Sequence, residues 1–142
     1  MKWLLNFYPP YFFTRTKVKS ISSDWREIVV ELPKSILTRN YVGTTFGGSL
    51  YASADPFLMI MLIKILGIQN YIVWDKSAEI DFKKPARSKI TYHFRITDDD
   101  LERIQKEISE RGKIVSFFTV NGIDREGQIC VVIKKGIYIR KK

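Results

Sequence analysis

The stretch from Asn40 to Pro56, "NYVGTTFGGSLYASADP", decides the fold. It opens polar, passes through Gly47-Gly48 and becomes a run of small and apolar side chains. At Asp55 it presents a carboxylate, just before the most hydrophobic segment of the chain, "FLMIMLIKIL" from Phe57 to Leu66. A carboxylate in such surroundings is costly to bury unless something pairs with it or uses it. Gly47 to Leu66 reads as one long helix, apolar on nearly every side, and a helix of that kind is surrounded by protein. Asp-Pro is also a helix-start signature, with Asp55 as N-cap and Pro56 at the first helical position. On that second reading the helix begins at Asp55 and Gly47 to Ala54 is a loop. The longer helix is preferred because "GGSLYASA" is poor loop sequence. Pro56 then produces a kink, at a cost of about 3 kcal/mol, and frees a carbonyl near Ala52.

Outward from this helix the chain reads as strands. Met1 to Tyr8 is expected as a short amphipathic helix with Trp3, Leu4 and Phe7 near one face. Thr14 to Ser20 and Trp25 to Leu32 read as strands, and Pro33 to Phe46 as a long connection. Tyr71 to Phe82 is a long strand stopped by the turn "KKPARS". From Ile90 to Thr97 the alternation is clean, with Ile90, Tyr92, Phe94 and Ile96 facing one way and His93 on the polar side. "TDDDLERIQKEISERG" is a second helix. Thr97 or Asp98 can cap it, Leu101, Ile104 and Ile108 form its stripe, Glu102–Lys106 and Glu107–Arg111 pair along it, and Gly112 ends it. Ile114 to Ile123 and Gln128 to Tyr138 form a final hairpin. One buried helix followed by long antiparallel strands is an α+β plan. Its economical packing is the hotdog fold, a curved antiparallel sheet wrapped around one long central helix.

The 142 residues are expected to form a single domain spanning 1–142, with no linker or repeat. One cysteine, Cys130, lies in an apolar run and reads as a buried thiol in a reducing compartment. There is no Cys/His cluster, so no metal site is expected. The single histidine, His93, sits on a polar face among cations and takes a surface role. The net charge of +9 attracts anions in general, whether nucleic acid, anionic lipid or a phosphorylated small molecule. No spaced nucleic-acid signature accompanies it, and nucleic acid is not expected as a partner. Asp55, Pro56 and Lys64 interrupt the apolar run at Leu50 to Leu66, so no membrane span is expected. The start "MKWLLNFYPP" is too short for a signal-peptide core, and a cytoplasmic location is expected.

"NYVGTTFGGSLYASADP" together with "YIVWDKSAEIDFKKPARSKI" resembles the hotdog-fold thioesterases. The likeness is to the phenylacetic-acid-pathway type of acyl-CoA thioesterase, and within it to an uncharacterised branch grouped as a domain of unknown function. The spacing Asn40, Gly47, Asp55 carries the resemblance, with Gly48 completing the glycine pair and "IDFKKPA" as a second anchor. The resemblance implies that the Gly47 N–H polarises a thioester carbonyl. It implies that Asp55, reaching across a dimer interface, is nucleophile or general base, and that Asn40 makes a polar contact. The chemistry of the residues agrees. A helix start offers unpaired N–H groups to a developing oxyanion, glycine permits close approach, and a nearby carboxylate can activate water.

The sequence departs from the resemblance in places. Phe46 stands where many relatives have a histidine, and Met59 where some have a hydroxyl. Asp75 falls where some carry a water-positioning serine. If Asp75 joins Asp55 in one pocket, the two are expected to share a proton; otherwise Lys76 or a backbone N–H holds it outside. Gly48, Phe46, Lys84 and Arg87 are candidate substrate contacts, the two cations for coenzyme A phosphates, although Lys83, Lys84 and Arg87 also read as a solvated turn. The leading expectation is a homodimer or homotetramer hydrolysing an acyl-CoA thioester, with coenzyme A only as part of the substrate and no cofactor. The rivals are a non-catalytic acyl-CoA binding protein and a structural or dehydratase-like hotdog.

Overall fold

The computed structural model describes residues 1–142. Its centre is a six-stranded, wholly antiparallel sheet in the order β1-β2-β4-β5-β6-β3. The strands are β1 (Lys17–Ile21), β2 (Glu27–Leu32), β3 (Tyr71–Phe82), β4 (Ile90–Arg95), β5 (Lys113–Ile123) and β6 (Ile129–Lys141). The core face of β6 follows period-two alternation, with Val131, Ile133, Lys135, Ile137 and Ile139 all buried. One of those five inward positions is a lysine.

The central helical layer lies where the sequence places it, but it is two helices rather than one. α3 (Gly47–Ala52) and α4 (Phe57–Leu66) are separated by Ser53 to Pro56, with a cis bond between Asp55 and Pro56. Both sequence readings are therefore corrected. Gly47 to Ala52 is helical and not a loop, and the second helix begins at Phe57 with Pro56 at its N-cap. Pro56 lacks an N–H and cannot continue the α3 ladder. Gly47–Leu66 is the one stretch long and apolar enough to cross a membrane. Here it packs in the protein core, with Phe57, Leu58, Met61 and Leu62 buried. The aromatic rings of Tyr11, Phe57, Phe94 and Tyr92 pack in series with centroids 5.2–6.2 Å apart. The Tyr92 hydroxyl donates to the Leu50 carbonyl at 2.8 Å and ties β4 to α3.

The chain outside this centre follows local rules. Two short helices, α1 (Lys2–Asn6) and α2 (Pro9–Thr14), precede the sheet. The second lies between the helix expected to end at Tyr8 and the strand expected from Thr14, which begins only at Lys17; Pro9 and Pro10 at its first positions are its sequence signal. Between β4 and β5, α5 (Asp98–Arg111) buries Leu101, Ile104 and Ile108 as its stripe requires. Thr97 caps it through a capping box with Asp100, and Gly112 ends it in the left-handed region at φ 73°. Glu107 and Arg111 pair at 3.5 Å as expected. The other surface pair is Arg103 with Asp100 at 3.0 Å, in place of Glu102 with Lys106. Cys130 is fully buried, and His93 is exposed 3.6 Å from Glu27.

Candidate functional site

Asp55 occupies the junction between α3 and α4, and its carboxylate caps neither helix. Its Oδ1 accepts a hydrogen bond from Lys135 Nζ, the lysine on the core face of β6. Its backbone carbonyl accepts from the Tyr11 hydroxyl of α2. Oδ2 has no protein donor, and the side chain is 39% exposed, so water reaches one oxygen while the other is held.

Lys135 is 1% exposed, and its charge is compensated on three sides. Besides Asp55, its Nζ stands 2.9 Å from Asp75 Oδ1 as an ion pair without hydrogen-bond alignment. It also lies 3.4 Å from the Tyr51 hydroxyl and over that ring, 5.3 Å from its centroid. Burial alone pushes the ammonium's pKa down. The hydrogen bond to Asp55 and the charges of Asp55 and Asp75 outweigh it, so Lys135 is held above its ordinary value and stays charged.

Asp75 reaches this cluster because β3 is irregular there. The register against β6 shifts between Asp75 and Ser77, so Asp75 does not share an exposed face with Ser77, Glu79 and Asp81. Burial raises the Asp75 pKa, the Lys135 ammonium pulls it back, and the Asp55 charge adds a smaller upward push. Asp55 and Asp75 do meet, but through an intervening ammonium where a shared proton was expected. Neither Lys76 nor a backbone N–H holds Asp75; Lys135 does. The sequence signal for Lys135 was the alternation in "VVIKKGIYI", which puts one of the two adjacent lysines inward.

A second cluster forms at the start of α3. A pocket of about 360 Å³ is lined by Asn40, Gly47, Leu50, Phe82 and Lys84, among others. The loop carrying Asn40 is tied down by Phe46 N–H to Thr38 O at 2.7 Å and Thr45 N–H to Ala86 O at 2.9 Å. Asn40 spends most of its amide on that loop. Its Oδ1 accepts from Thr44 N–H at 2.9 Å and its Nδ2 donates to Thr44 Oγ1 at 2.8 Å, leaving one N–H. The Gly47 and Gly48 N–H groups start α3 and find no acceptor in the protein. A Cβ at Gly47 would stand 2.9 Å from Phe82 Cζ, and one at Gly48 would strike the Phe46 ring.

The predicted site residues thus divide into two groups within one chain. Asn40, Gly47 and Lys84 line the pocket, while Asp55 and Asp75 meet at Lys135. Phe46 is 57% exposed and lies beside Gly48. Lys84 is engaged by Gln128 and, at 3.6 Å, by Asp124. Arg87 is exposed, outside the pocket and without an ionic partner. No three His, Cys, Asp or Glu side chains converge where a metal ion could sit.

The architecture is shared with solved structures. The Pseudomonas aeruginosa protein PA5026, described as of unknown function and a "Probable Thioesterase", superposes with a TM-score of 0.86 at 15% identity, over 99% of this chain and 93% of that one. The Haemophilus influenzae thioesterase HI1161 gives 0.70 at 14% identity, over 97% and 87%. The E. coli PaaI protein of the phenylacetic acid degradation operon gives 0.64 at 14% identity, over 93% and 88%. The fold is that of the hotdog thioesterases. No curated protein matches the sequence. A family model matches residues 1–139, nearly the whole chain, and this protein belongs to the family it describes, the domain of unknown function DUF4442.

Proposed function

We propose that this protein is a thioester hydrolase acting on an acyl-CoA-type substrate, at a site made from Gly47 of one protomer and Asp55 of its partner in a homodimer. The observation that carries this reading is Asp55 itself. It is a carboxylate fixed on one oxygen by a buried ammonium and open to water on the other. The hotdog fold shared with thioesterases supports it at the level of the class.

In this reading the thioester carbonyl oxygen enters the pocket at Gly47, where an unpaired N–H receives the charge that develops on it. Asp55 Oδ2 takes a proton from water as the water oxygen attacks the carbonyl carbon. The tetrahedral intermediate then expels the thiolate as the C–S bond breaks, and the proton on Asp55 passes to the sulfur. Lys135 remains an ammonium throughout and holds Oδ1 in place. Asp75 acts on Lys135, keeping it charged and oriented. The remaining Asn40 N–H faces the substrate, and Arg87, the cation of the turn without a partner, is available to phosphate.

One observation favours a second reading, an acyl-CoA binding protein without turnover. The same ammonium that positions Asp55 also draws on the lone pairs a base would use. A panel of acyl-CoA thioesters, assayed for free thiol, separates the two. Turnover by the parent that disappears in Asp55→Asn, with melting temperature and ligand binding retained, is the expected result. Full turnover in Asp55→Asn removes the catalytic assignment. Saturable binding with equal, negligible turnover in both proteins leaves the binding reading.

A further inference from the structure

The first half of the chain carries an apolar surface that the fold does not bury. Trp3 is 72% exposed, Leu4 70%, Phe7 71%, Phe12 58%, Phe13 71% and Leu37 71%. They are not scattered. A groove of about 570 Å³ runs between α1, α2 and the short 3-10 turn Ile36–Thr38, with Trp3, Phe7, Phe12, Phe13 and Leu37 in its walls and Tyr11 buried beneath. A contiguous exposed patch of this kind marks an interaction surface.

Charge identifies the occupant. Residues 1–23 and 33–46 contain no Asp or Glu, the first acid being Asp24. Lys2, Arg15, Lys17, Lys34 and Arg39 are all exposed on these segments, and none has an acidic partner. Arg15 and Lys17 line the groove itself. The acids are gathered elsewhere, with six of the chain's 15 on α5. A second copy of this chain on the same face would set five cations against five. An anionic lipid surface instead offers negative headgroups to the cations and an acyl boundary to Trp and Phe, whose rings favour that depth. The net charge of +9 adds long-range attraction to such a surface.

We propose that the α1–α2 face docks on anionic phospholipid membrane, with Trp3, Phe7 and Phe13 entering the headgroup region and the flanking cations holding the surface. The docking stands independently of the hydrolase reading, although the two meet at Tyr11. Its ring floors the groove and its hydroxyl holds the Asp55 carbonyl, so a docked chain presents the α3–α4 junction close to lipid.

Vesicle flotation of the full chain tests this. The protein is expected to float with phosphatidylcholine vesicles containing about one-third phosphatidylglycerol at low salt, at least about tenfold more strongly than with phosphatidylcholine alone. High salt is expected to release it. The variant Trp3→Ser/Phe7→Ser/Phe13→Ser, at three solvent-facing positions outside the candidate site, is expected to lose about tenfold or more in binding with its melting curve unchanged. Arg15→Glu/Lys17→Glu gives the same loss by charge alone and keeps the proposal testable if the triple variant misfolds. No flotation with the anionic vesicles, or undiminished binding by both variants, overturns the proposal. A soluble oligomer that dissociates in the triple variant also overturns it, and assigns the face to a second copy of the chain.

Discussion

Lys135 is the residue on which the candidate site turns. A lysine that is 1% exposed must recover its lost hydration from partners, and it does so from Asp55, Asp75 and Tyr51. Lys135→Met leaves two carboxylates facing each other with no cation between them. Both are partly open to solvent, at 39% and 23%, so the loss falls below that of a fully buried pair, at about 2 kcal/mol in urea unfolding at neutral pH. Stability equal to the parent's would show that the cluster contributes nothing net. Asp75 supplies the pH dependence. Its folded-state pKa is raised, chiefly by burial, so its contribution to stability is fully present below the unfolded value and is lost as pH rises through the folded one. The stability of the parent minus that of Asp75→Asn should therefore grow as pH falls from neutral toward 4, the reverse of an ordinary salt-bridged aspartate. A difference that shrinks on acidification would show that Lys135 dominates Asp75. Asp55 stood out in the sequence as an acid beside an apolar run, whereas Gly47 and Asp75 were singled out by the spacing of the family resemblance. Lys135 was not, since a lysine in a basic chain ending "IRKK" looks like surface until the β6 alternation is counted through it.

At the scale of elements, the break between α3 and α4 separates what one helix would have joined. The apolar run "FLMIMLIKIL", hydrophobic on nearly every side of a helix, made the buried layer evident, and Phe57, Leu58, Met61 and Leu62 are buried in it. Periodicity carries no information about whether an interrupting proline kinks a helix or ends it, and here it ends it. The helix start at Gly47, with free N–H groups in a pocket, is thereby set on a separate helix from the segment that holds the acid. Gly47→Pro tests whether that N–H matters. Proline is favoured at the first helical position, and the preceding Phe46, at φ −61° and ψ 133°, already has the extended geometry proline requires. Phe82, whose ring approaches Gly47, is 53% exposed and can swing aside. The variant should therefore fold with little change in melting temperature while losing about a hundredfold in kcat, the usual cost of one oxyanion donor. Unchanged kcat in a folded Gly47→Pro protein would move the oxyanion donor to another group.

The whole molecule is incomplete at one edge. β3 is twelve residues long, lies at the end of the sheet and has one side of its backbone unpaired. Trp74 is 67% exposed and Phe82 53%, and flat edges of this length with apolar side chains recruit another strand. A two-fold antiparallel pairing of β3 with its copy opposes residues of the same face, and centring on Ala78, with the extra residue of the irregularity between Asp75 and Ser77 counted, sets Phe82 opposite Val73 of the partner subunit and Ile80 opposite the partner's Asp75, all on the core face. That pairing covers Phe82 and Ile80, whereas centring on Glu79 would oppose two like charges. It also resolves the division of the site. Phe82 packs on Gly47, and Val73 and Asp75 share the core face, so the pairing brings the Gly47 pocket of one protomer to the Lys135 cluster of the other. Within one chain Asp75 and Phe82 are seven residues apart on an extended strand, about 23 Å. Ala78→Cys places a thiol against its own copy at the two-fold axis. Mild oxidation should convert most of this variant to a disulfide-linked dimer on non-reducing gels, while Glu79→Cys, off the axis, links less. The native Cys130 is fully buried and supplies the blank. A monomer by light scattering at micromolar concentration, or cross-linking stronger at 79 than at 78, would rule out this register and with it the composite site.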